Sequence, residues 1–230
     1  MRKILANAHV SLDGVVQSPG GPDEDPRNGF AYGGWTAPYG DDRSGELLTA
    51  TMAEPFDLLL GRRTYEIFAA YWPYHGDNPI GERFNAATKY VVTRSLDHLD
   101  WENSERISGD TGSDVAQAIA RLKSGDGPDI HLWGSSELLQ ALTAAGLIDE
   151  YRLWIYPLVL GRGKRLFERD VPAQALTLVD TKTTSTGVMF NTYRPAGPVK
   201  AGSFAPETPS DAELARRRKL ASEDQGALSS

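Results

Sequence analysis

Short apolar runs alternate with segments of helical spacing along the first 195 residues of the chain. Apolar runs bounded by turn residues are typical of buried strands, whereas apolar residues at every third or fourth position indicate helices. The pattern predicts strands at 3–8, 56–60, 89–93, 106–108, 129–133, 151–160, 174–184 and 188–194, and helices at 43–53, 62–71, 114–123 and 135–145. This alternation, followed by a terminal hairpin, predicts an α/β fold with a mainly parallel sheet, helices on both faces and an antiparallel C-terminal edge.

Several single residues sharpen these boundaries. Ser113 is a candidate N-cap for the helix at 114–123. Gly146 is expected to end the helix at 135–145. Pro157 lacks an N–H group and predicts an irregular or edge position in the strand at 151–160. The last two strands are predicted to form a hairpin around residues 185–187.

A long loop follows the first strand and covers about residues 15–40. A loop of this length in a small domain is usually either a functional lid or disordered. Phe30, Tyr32, Trp35 and Tyr39 argue against disorder, because a solvated linker has no use for four aromatic side chains. We therefore predict a lid that covers the substrate.

The composition changes after Pro195, so we divide the chain into a domain at 1–195 and a polar tail at 196–230. The tail has almost no large apolar residues and is expected to be disordered or to hold one short helix at about 211–222. Ser210 and Glu213 have the spacing of a capping box at the start of that helix. The basic run at 216–219 fits a solvated helix face better than a nucleic-acid contact.

Size, charge and residue types exclude several classes of protein. The chain has 230 residues, 40% of them hydrophobic, which is enough to bury a core and rules out disorder throughout. The net charge of −7 argues against broad binding to nucleic acid or to anionic membranes. No apolar run reaches the roughly 18 residues of a membrane span, and no secretory signal is evident. We expect a cytoplasmic protein that acts on a small molecule.

Metal and nucleophile chemistry finds little support in the sequence. There is no cysteine, and the histidines, at positions 9, 75, 98 and 131, form no paired ligand motif, so no metal site is expected. Residues 161–164 (GRGK) lack the spacing of a phosphate-binding loop. Residues 134–138 (GSSEL) lack the second glycine of a nucleophile elbow. Kinase and serine-hydrolase functions are therefore not favoured.

Three turns at the carboxyl ends of predicted parallel strands carry the best candidates for ligand binding. Glycine, small hydroxyl residues and arginine converge there, where helix N-termini and guanidinium groups bind anions. Each turn alone also has a common structural explanation, but three together point to a phosphate-rich ligand. The turns consist of Gly61, Arg62, Arg63 and Thr64; of Thr93, Arg94 and Ser95; and of Gly134, Ser135, Ser136, Glu137 and Leu138.

An ordered set of short segments gives the chain a family resemblance over about residues 2–194. The segments are SLDG at 11–14, LLGRRTYE at 59–66, YWP at 71–73, VTRS at 92–95, LWGS at 132–135, LIDEY at 147–151, PLVLGRG at 157–163 and LF at 166–167. In this set the chain resembles the dihydrofolate reductase-like superfamily. Within it, the chain is most similar to the branch of the C-terminal reductase domain of bifunctional riboflavin-biosynthesis deaminase-reductases.

The resemblance implies an NADPH-dependent reductase, expected to be a homodimer, that transfers hydride to a small heterocyclic or carbonyl-type substrate. By resemblance, the Gly61–Thr64 and Gly134–Leu138 turns hold the pyrophosphate, and the Thr93–Ser95 turn holds the adenosine ribose and its 2′-phosphate. Main chain at Ala8 would meet the nicotinamide amide. The nearest named activity reduces a ribosylamino pyrimidine, but basic residues for its phosphate are not evident in the long loop. Substrate contacts are expected from Trp35, Tyr39, Trp72 and Tyr156.

Two carboxylates are candidates for the catalytic acid. Asp42 lies near the start of the first predicted helix, where dihydrofolate reductases carry their acid, but aspartates there are also common N-caps. Asp13 is the second candidate, or else a turn residue beside Gly14. The sequence leaves this choice open.

Two other functions remain open at this point. A non-catalytic NADPH-binding or regulatory module would keep the three turns and lack a working acid. A nucleotide transferase would use the same turns as a mononucleotide site and would depend on magnesium. An open aromatic pocket beside the nicotinamide would favour the enzyme over the regulatory module.

Overall fold

Eight strands form one sheet in the order β4-β3-β2-β5-β1-β6-β8-β7. In this computed structural model, residues 1–168, 171–205 and 208–227 are described, with backbone alone for the last four. The strands are β1 (Ile4–Ser11), β2 (Phe56–Gly61), β3 (Lys89–Val92), β4 (Ser104–Ile107), β5 (Asp129–Trp133), β6 (Glu150–Tyr156), β7 (Leu176–Thr183) and β8 (Met189–Pro195). The helices are α1 (Asp42–Thr51), α2 (Arg62–Ala69), α3 (Pro79–Ala86), α4 (Gly112–Ser124), α5 (Ser136–Ala144) and α6 (Asp211–Ala227).

Strands β1 to β6 pair in parallel, and β8 pairs antiparallel with both β6 and β7. The predicted α/β fold with an antiparallel C-terminal edge is therefore confirmed. Parallel strands need covered faces, and the near-continuous apolar run of β2 fits this requirement. Because all strands from β1 to β6 run the same way, their carboxyl ends meet at one edge of the sheet.

Each face of the sheet packs against its own helices. On one face, Ala6 and Ala8 of β1 pack with residues of α4 and α5, such as Ile119 and Leu139. On the opposite face, apolar residues of β2 and Trp133 pack with residues of α2 and α3. Side chains alternate along a strand, so Asn7 and His9 lie on this second face.

The loop between β1 and α1 is folded onto the body. It contains two short 3-10 helices, Arg27–Gly29 and Ala37–Tyr39. Phe30 and Trp35 are buried in a cluster with Trp154 and Tyr156 of β6. The Trp35 Nε1 group donates a hydrogen bond to the Gln17 carbonyl oxygen at 2.8 Å. This burial explains the need for Phe30 and Trp35, whereas Tyr32 is exposed. We call residues 15–40 the lid.

Several predicted boundaries were wrong. Strand β1 continues to Ser11 rather than stopping at Ala8. Strand β6 ends at Tyr156 rather than at residue 160, because Pro157 cannot donate to the sheet and the amides of Leu160 and Gly161 donate to Asp13 instead.

The helix predictions also needed correction. Helix α4 is capped by Thr111, which forms a capping box with Asp114, and not by Ser113. Helix α3 was missed, because the segment is short and contains a glycine. Asn78 starts it by accepting hydrogen bonds from the Ile80 and Gly81 amides.

Contacts divide the chain into two units, Met1–Pro198 and Val199–Ser230. The second unit contains α6, which is longer than the predicted helix at 211–222. Ser210 Oγ accepts a hydrogen bond from the Glu213 amide at 3.3 Å. No helix in the described part of the chain combines the length and the apolar character needed to cross a membrane.

Candidate cofactor and substrate cleft

A cleft of about 1450 Å³ opens at the carboxyl ends of β1, β2, β3 and β5. It lies where the strand order places the ends of adjacent parallel strands side by side, the usual location of ligands in α/β sheets. Every residue predicted to contact a cofactor lines this cleft. These residues are Ala8, Gly61, Arg62, Arg63, Thr64, Thr93, Arg94, Ser95, Gly134, Ser135, Ser136, Glu137 and Leu138.

Two of the three turns contact each other directly. The Gly61 amide donates to Ser135 Oγ at 2.8 Å, and Ser135 Oγ donates to Thr64 Oγ1 at 2.9 Å. A Cβ atom added at Gly134 would lie 3.1 Å from Thr64 Oγ1, and Gly134 has φ of +54°. The contact and the left-handed backbone together explain why glycine is needed there.

Helices α2 and α5 begin at these turns without a side-chain cap on their first amides. The first amide groups of a helix have no partner within the helix and carry a partial positive charge. The two N-termini therefore face the cleft as anion-binding groups. Arginine side chains in the first turn of α2 oppose the helix dipole, which is consistent with a site for a bound anion.

The arginines at the turns differ in how they are paired. Arg62 forms an ion pair with Glu66 at 2.8 Å, and Arg63 approaches Glu137 at 3.7 Å. The Arg94 guanidinium has no ion-pair partner in the described part of the chain. Arg106 of β4 donates to the carbonyl oxygen of Arg94 at 3.3 Å, which holds this turn in place.

The Thr93 side chain closes the same turn. Its Oγ1 accepts hydrogen bonds from the amides of Ser95 and Leu96, both at 3.2 Å. The turn between β4 and α4 completes this end of the cleft with Gly109, Thr111 and Gly112. We missed this last contribution, because β4 was only a weak prediction from the sequence.

The other end of the cleft is aromatic. Phe68, Trp72, Phe84 and Trp133 line it. Of the predicted substrate contacts, Trp72 alone is in the lining. Trp35 and Tyr39 pack edge-on against Tyr156, with ring centroids 5.1 and 5.7 Å apart, and these three residues lie behind the lining.

Polar groups on the cleft floor have hydrogen-bonding capacity left. The Asn7 amide nitrogen donates to the Leu5 carbonyl oxygen at 3.0 Å, which fixes the orientation of this side chain. Asn7 Oδ1 and Trp133 Nε1 are buried and have no partner among the described residues. Both residues line the cleft. Buried polar groups normally form hydrogen bonds. A ligand that hydrogen-bonds with these two atoms would therefore remove the free-energy cost of leaving them unpaired.

His9 also lines the cleft and contacts the residues behind it. Its Nδ1 atom lies 2.9 Å from the Tyr156 hydroxyl. Burial lowers the pKa of His9 to about 4, so this imidazole is neutral near pH 7. Burial raises the pKa of Tyr156, which therefore stays a phenol. The pair can position hydrogen bonds but holds no readily released proton.

The structure brings neither Asp13 nor Asp42 into the cleft. The Asp13 carboxylate accepts hydrogen bonds from Ser11 Oγ and two backbone amides, so it organises the turn after β1. Burial tends to raise the pKa of Asp13, but these hydrogen bonds outweigh it and the pKa is lowered. Asp42 is exposed in the first turn of α1, where Asp41 is the N-cap.

The lid brings other carboxylates to the cleft, which we did not predict. Asp25 pairs with Arg27 and, at 3.2 Å, with Lys164. Burial alone would raise the pKa of Asp25, but these cations lower it to about 2. Glu24 is paired with no cation of the described residues, and burial raises its pKa. The sequence pattern gave no signal for either residue, because both lie in a loop without periodicity.

Fold and cleft together define an α/β domain of the dihydrofolate reductase-like class. Within this class, the chain belongs to the family of the RibD C-terminal domain, whose model matches residues 2–190. Similar curated proteins come from Bacillus subtilis (strain 168). The uncharacterized protein YyaP is 28% identical over 200 residues, covering 84% of this chain and 94% of YyaP. The uncharacterized protein YwjB is 30% identical over 141 residues, covering 60% of this chain and 72% of YwjB.

Solved structures share the fold at low identity. A putative riboflavin biosynthesis protein from Shewanella sp. PV-4 has a TM-score of 0.56 and 17% identity, covering 84% of this chain and 99% of that one. A dihydrofolate reductase from Enterococcus faecalis, complexed with NADP(H), has a TM-score of 0.54 and 14% identity, covering 84% and 96%. These similarities confirm the predicted family resemblance and a reductase-like fold.

Proposed function

We propose that this protein is an NADPH-dependent reductase of a small carbonyl-type or heterocyclic substrate. The observation that carries the proposal is that the three predicted turns line one cleft, at the ends of β2, β3 and β5. Turns at separate surface sites would each have needed only an ordinary structural explanation. A shared cleft with two helix N-termini and several arginines fits an extended ligand with more than one phosphate.

The residues present fit the dinucleotide part of such a cofactor. Glycine at positions 61 and 134 lets the two turns pack closely, because a Cβ atom there would come within 3.1 Å of Ser135 Oγ or Thr64 Oγ1. This close backbone approach, with the free amides of α2 and α5, would hold the pyrophosphate. Arg94 and Ser95 would hold the 2′-phosphate, because the Arg94 guanidinium is not engaged by another described residue.

The aromatic end of the cleft supports an enzyme over a regulatory module. A module that only binds NADPH has no need for an open pocket lined by Phe68, Trp72 and Trp133. The unpaired Asn7 Oδ1 and Trp133 Nε1 atoms would orient a polar group there. When bound, the cofactor supplies the hydride. The protein's residues position the acceptor and exclude water.

The charges near this end do not favour a phosphorylated substrate. Among the described residues, the lid side of the cleft offers two cations, Arg27 and Lys164, and both are paired with Asp25. Asp23 adds further negative charge. We therefore consider the phosphoribosylamino pyrimidine of riboflavin synthesis a less favoured substrate than smaller acceptors without a phosphate.

Two measurements test this function. Native mass spectrometry of the protein mixed with equal NADPH and NADH should show retention of NADPH. Absorbance should then follow NADPH consumption with a panel of ketones and cyclic imines, with and without a chelator. Consumption that survives chelation supports the proposal. Binding of a mononucleotide only, and only with magnesium, would support the transferase instead.

A further inference from the structure

Five carboxylates among the described residues line the cleft, and four of them are either paired with a cation or exposed. Glu66 is paired with Arg62, Glu137 is largely exposed beside Arg63, and Asp23 is exposed. Asp25, held by two cations, has its pKa lowered to about 2. These five residues are Asp23, Glu24, Asp25, Glu66 and Glu137.

Glu24 differs from the other four in its surroundings. Its side chain is half-buried in the lid, and it has no cation partner among the described residues. Its Oε2 atom accepts hydrogen bonds from the Gly20 amide at 2.6 Å and the Gly21 amide at 3.2 Å. These two bonds fix one oxygen to the lid backbone, and Oε1 has no hydrogen-bond partner among the residues that the structure describes. A proton on Oε1 is compatible with both bonds, because Oε2 then accepts as a carbonyl oxygen.

The charged environment of Glu24 is simple. Burial raises the pKa of Glu24, and the negative charge of neighbouring Asp25 adds to the rise. The bonds from Gly20 and Gly21 act in the opposite direction but do not cancel it. The cations of this region, Arg27 and Lys164, are directed at Asp25.

We propose that Glu24 is the proton donor of the reduction, carried to the substrate by the lid. This inference rests on the proposed function. The reduced cofactor, when bound, would supply the hydride from a C–H bond that breaks, and would itself be oxidised. The carbonyl carbon gains this hydrogen with its electron pair, and the C=O π pair moves to oxygen. That oxygen takes the proton from Glu24 Oε1. Glu24 is left as a carboxylate and regains a proton from water.

A matched pair of acceptors tests the step. The ketone α-tetralone needs both hydride and proton, whereas the N-methyl dihydroisoquinolinium ion, of similar shape, needs hydride alone. Glu24→Gln keeps the size of the side chain, and its amide oxygen still accepts from Gly20 and Gly21. We expect this variant to lose about a hundredfold or more in kcat on the ketone, the usual range for general acid catalysis. Its kcat on the iminium ion should stay within about threefold of the wild-type value, because that acceptor needs no proton.

Glu54→Gln is the matched control, because it makes the same exchange at an exposed position outside the cleft lining. It should reduce both acceptors like the wild type. Equal losses on both acceptors in Glu24→Gln would overturn the inference, since a positioning defect affects both. Unchanged ketone reduction would overturn it too.

Infrared difference spectroscopy of the NADP⁺-loaded protein tests the donor without turnover. A protonated carboxyl band should be present in the wild type and in Glu54→Gln and absent in Glu24→Gln. It should titrate above 4.5, the ordinary value for this group. Absence of a band that Glu24→Gln removes would overturn the inference. A wild type that keeps the band but reduces neither acceptor would count against the proposed function alone.

Discussion

At the scale of single residues, glycine positions decide whether a backbone can approach a ligand. Gly134 and Gly146 both have positive φ, at +54° and +66°. A Cβ atom at Gly134 would contact Thr64, whereas at Gly146 it would meet nothing within 4 Å. Substitutions at these two positions therefore distinguish the effect of backbone strain, which both share, from the effect of close packing, which only Gly134 has.

We predict that Gly134→Ala and Gly146→Ala both lower the free energy of unfolding by about 1–2 kcal/mol, the usual penalty for an L side chain in left-handed conformation. Gly134→Ala alone should also weaken NADPH binding, by about tenfold or more, because Thr64 and Ser135 must shift. Chemical denaturation and fluorescence titration measure the two effects. Equal NADPH affinity in the two variants would contradict our account of this turn.

Buried histidine makes stability depend on pH. His131 stacks on Phe56 with ring centroids 4.4 Å apart. Burial and, less strongly, the charge of Arg152 lower the pKa of His131 from 6.5 to about 3. Above pH 6.5 neither the folded nor the unfolded state is protonated, and this residue has no effect. Between pH 6.5 and pH 3 the unfolded state binds the proton, so stability falls as the pH falls.

We predict that His131→Phe, which keeps the stacking, loses less stability than the wild type between pH 7 and pH 5. The difference should be on the order of 2 kcal/mol, since each unit of pKa shift corresponds to about 1.4 kcal/mol. His98→Gln, at an exposed position, serves as the control and should follow the wild type. Urea denaturation at the two pH values measures this. If all three proteins lost the same free energy of unfolding between pH 7 and pH 5, His131 would not be the source of the pH dependence.

At the scale of elements, the strands of the central sheet were predictable because they are buried on both faces. Short, largely apolar segments such as β2 and β5 are typical of strands that are covered on both faces. The turns after these strands were predictable from glycine and small residues at strand ends. Their assignment to cofactor groups stays a prediction.

The lid could be located from the sequence, but its chemistry could not. Its aromatic content indicated burial, and Phe30 and Trp35 are indeed buried. Which lid side chain lines the cleft depends on turns at Gly20 and Gly21 and on the pairing of Asp25 with Lys164, more than 130 positions away. Loop geometry of this kind has no periodicity to read, so Glu24 was missed, while Asp13 and Asp42 were favoured for their places beside regular elements.

We predict that NADPH with α-tetralone protects the lid against limited proteolysis. The glycines at 20, 21, 33 and 34 allow the backbone to move, and the aromatic residues give the closed form its contacts. Cleavage within residues 18–34 should slow several-fold relative to the unliganded protein, while cleavage in 199–210 should not change. Mass spectrometry of the fragments measures both. An unchanged lid pattern would count against closure over the substrate.

At the scale of the whole molecule, the first unit accounts for the predicted chemistry. All cleft residues belong to Met1–Pro198. The second unit has few large apolar residues to bury. We predict that a chain ending at residue 198 keeps its melting temperature within about 2 °C and keeps its NADPH affinity, since surface segments without a core contribute little. A loss of several degrees would mean that residues 199–230 stabilise the protein or its assembly.

The most direct test of the central claim is calorimetric titration of NADPH and NADH into the wild type and Arg94→Ala. A charged hydrogen bond contributes roughly 1.5–3 kcal/mol, so two contacts to the 2′-phosphate should favour NADPH by about a hundredfold or more. Arg94→Ala should lose most of this preference and bind NADH almost unchanged. Arg162→Ala, at an exposed position outside the cleft lining, should behave like the wild type. Equal affinity of the wild type for NADPH and NADH would contradict the account.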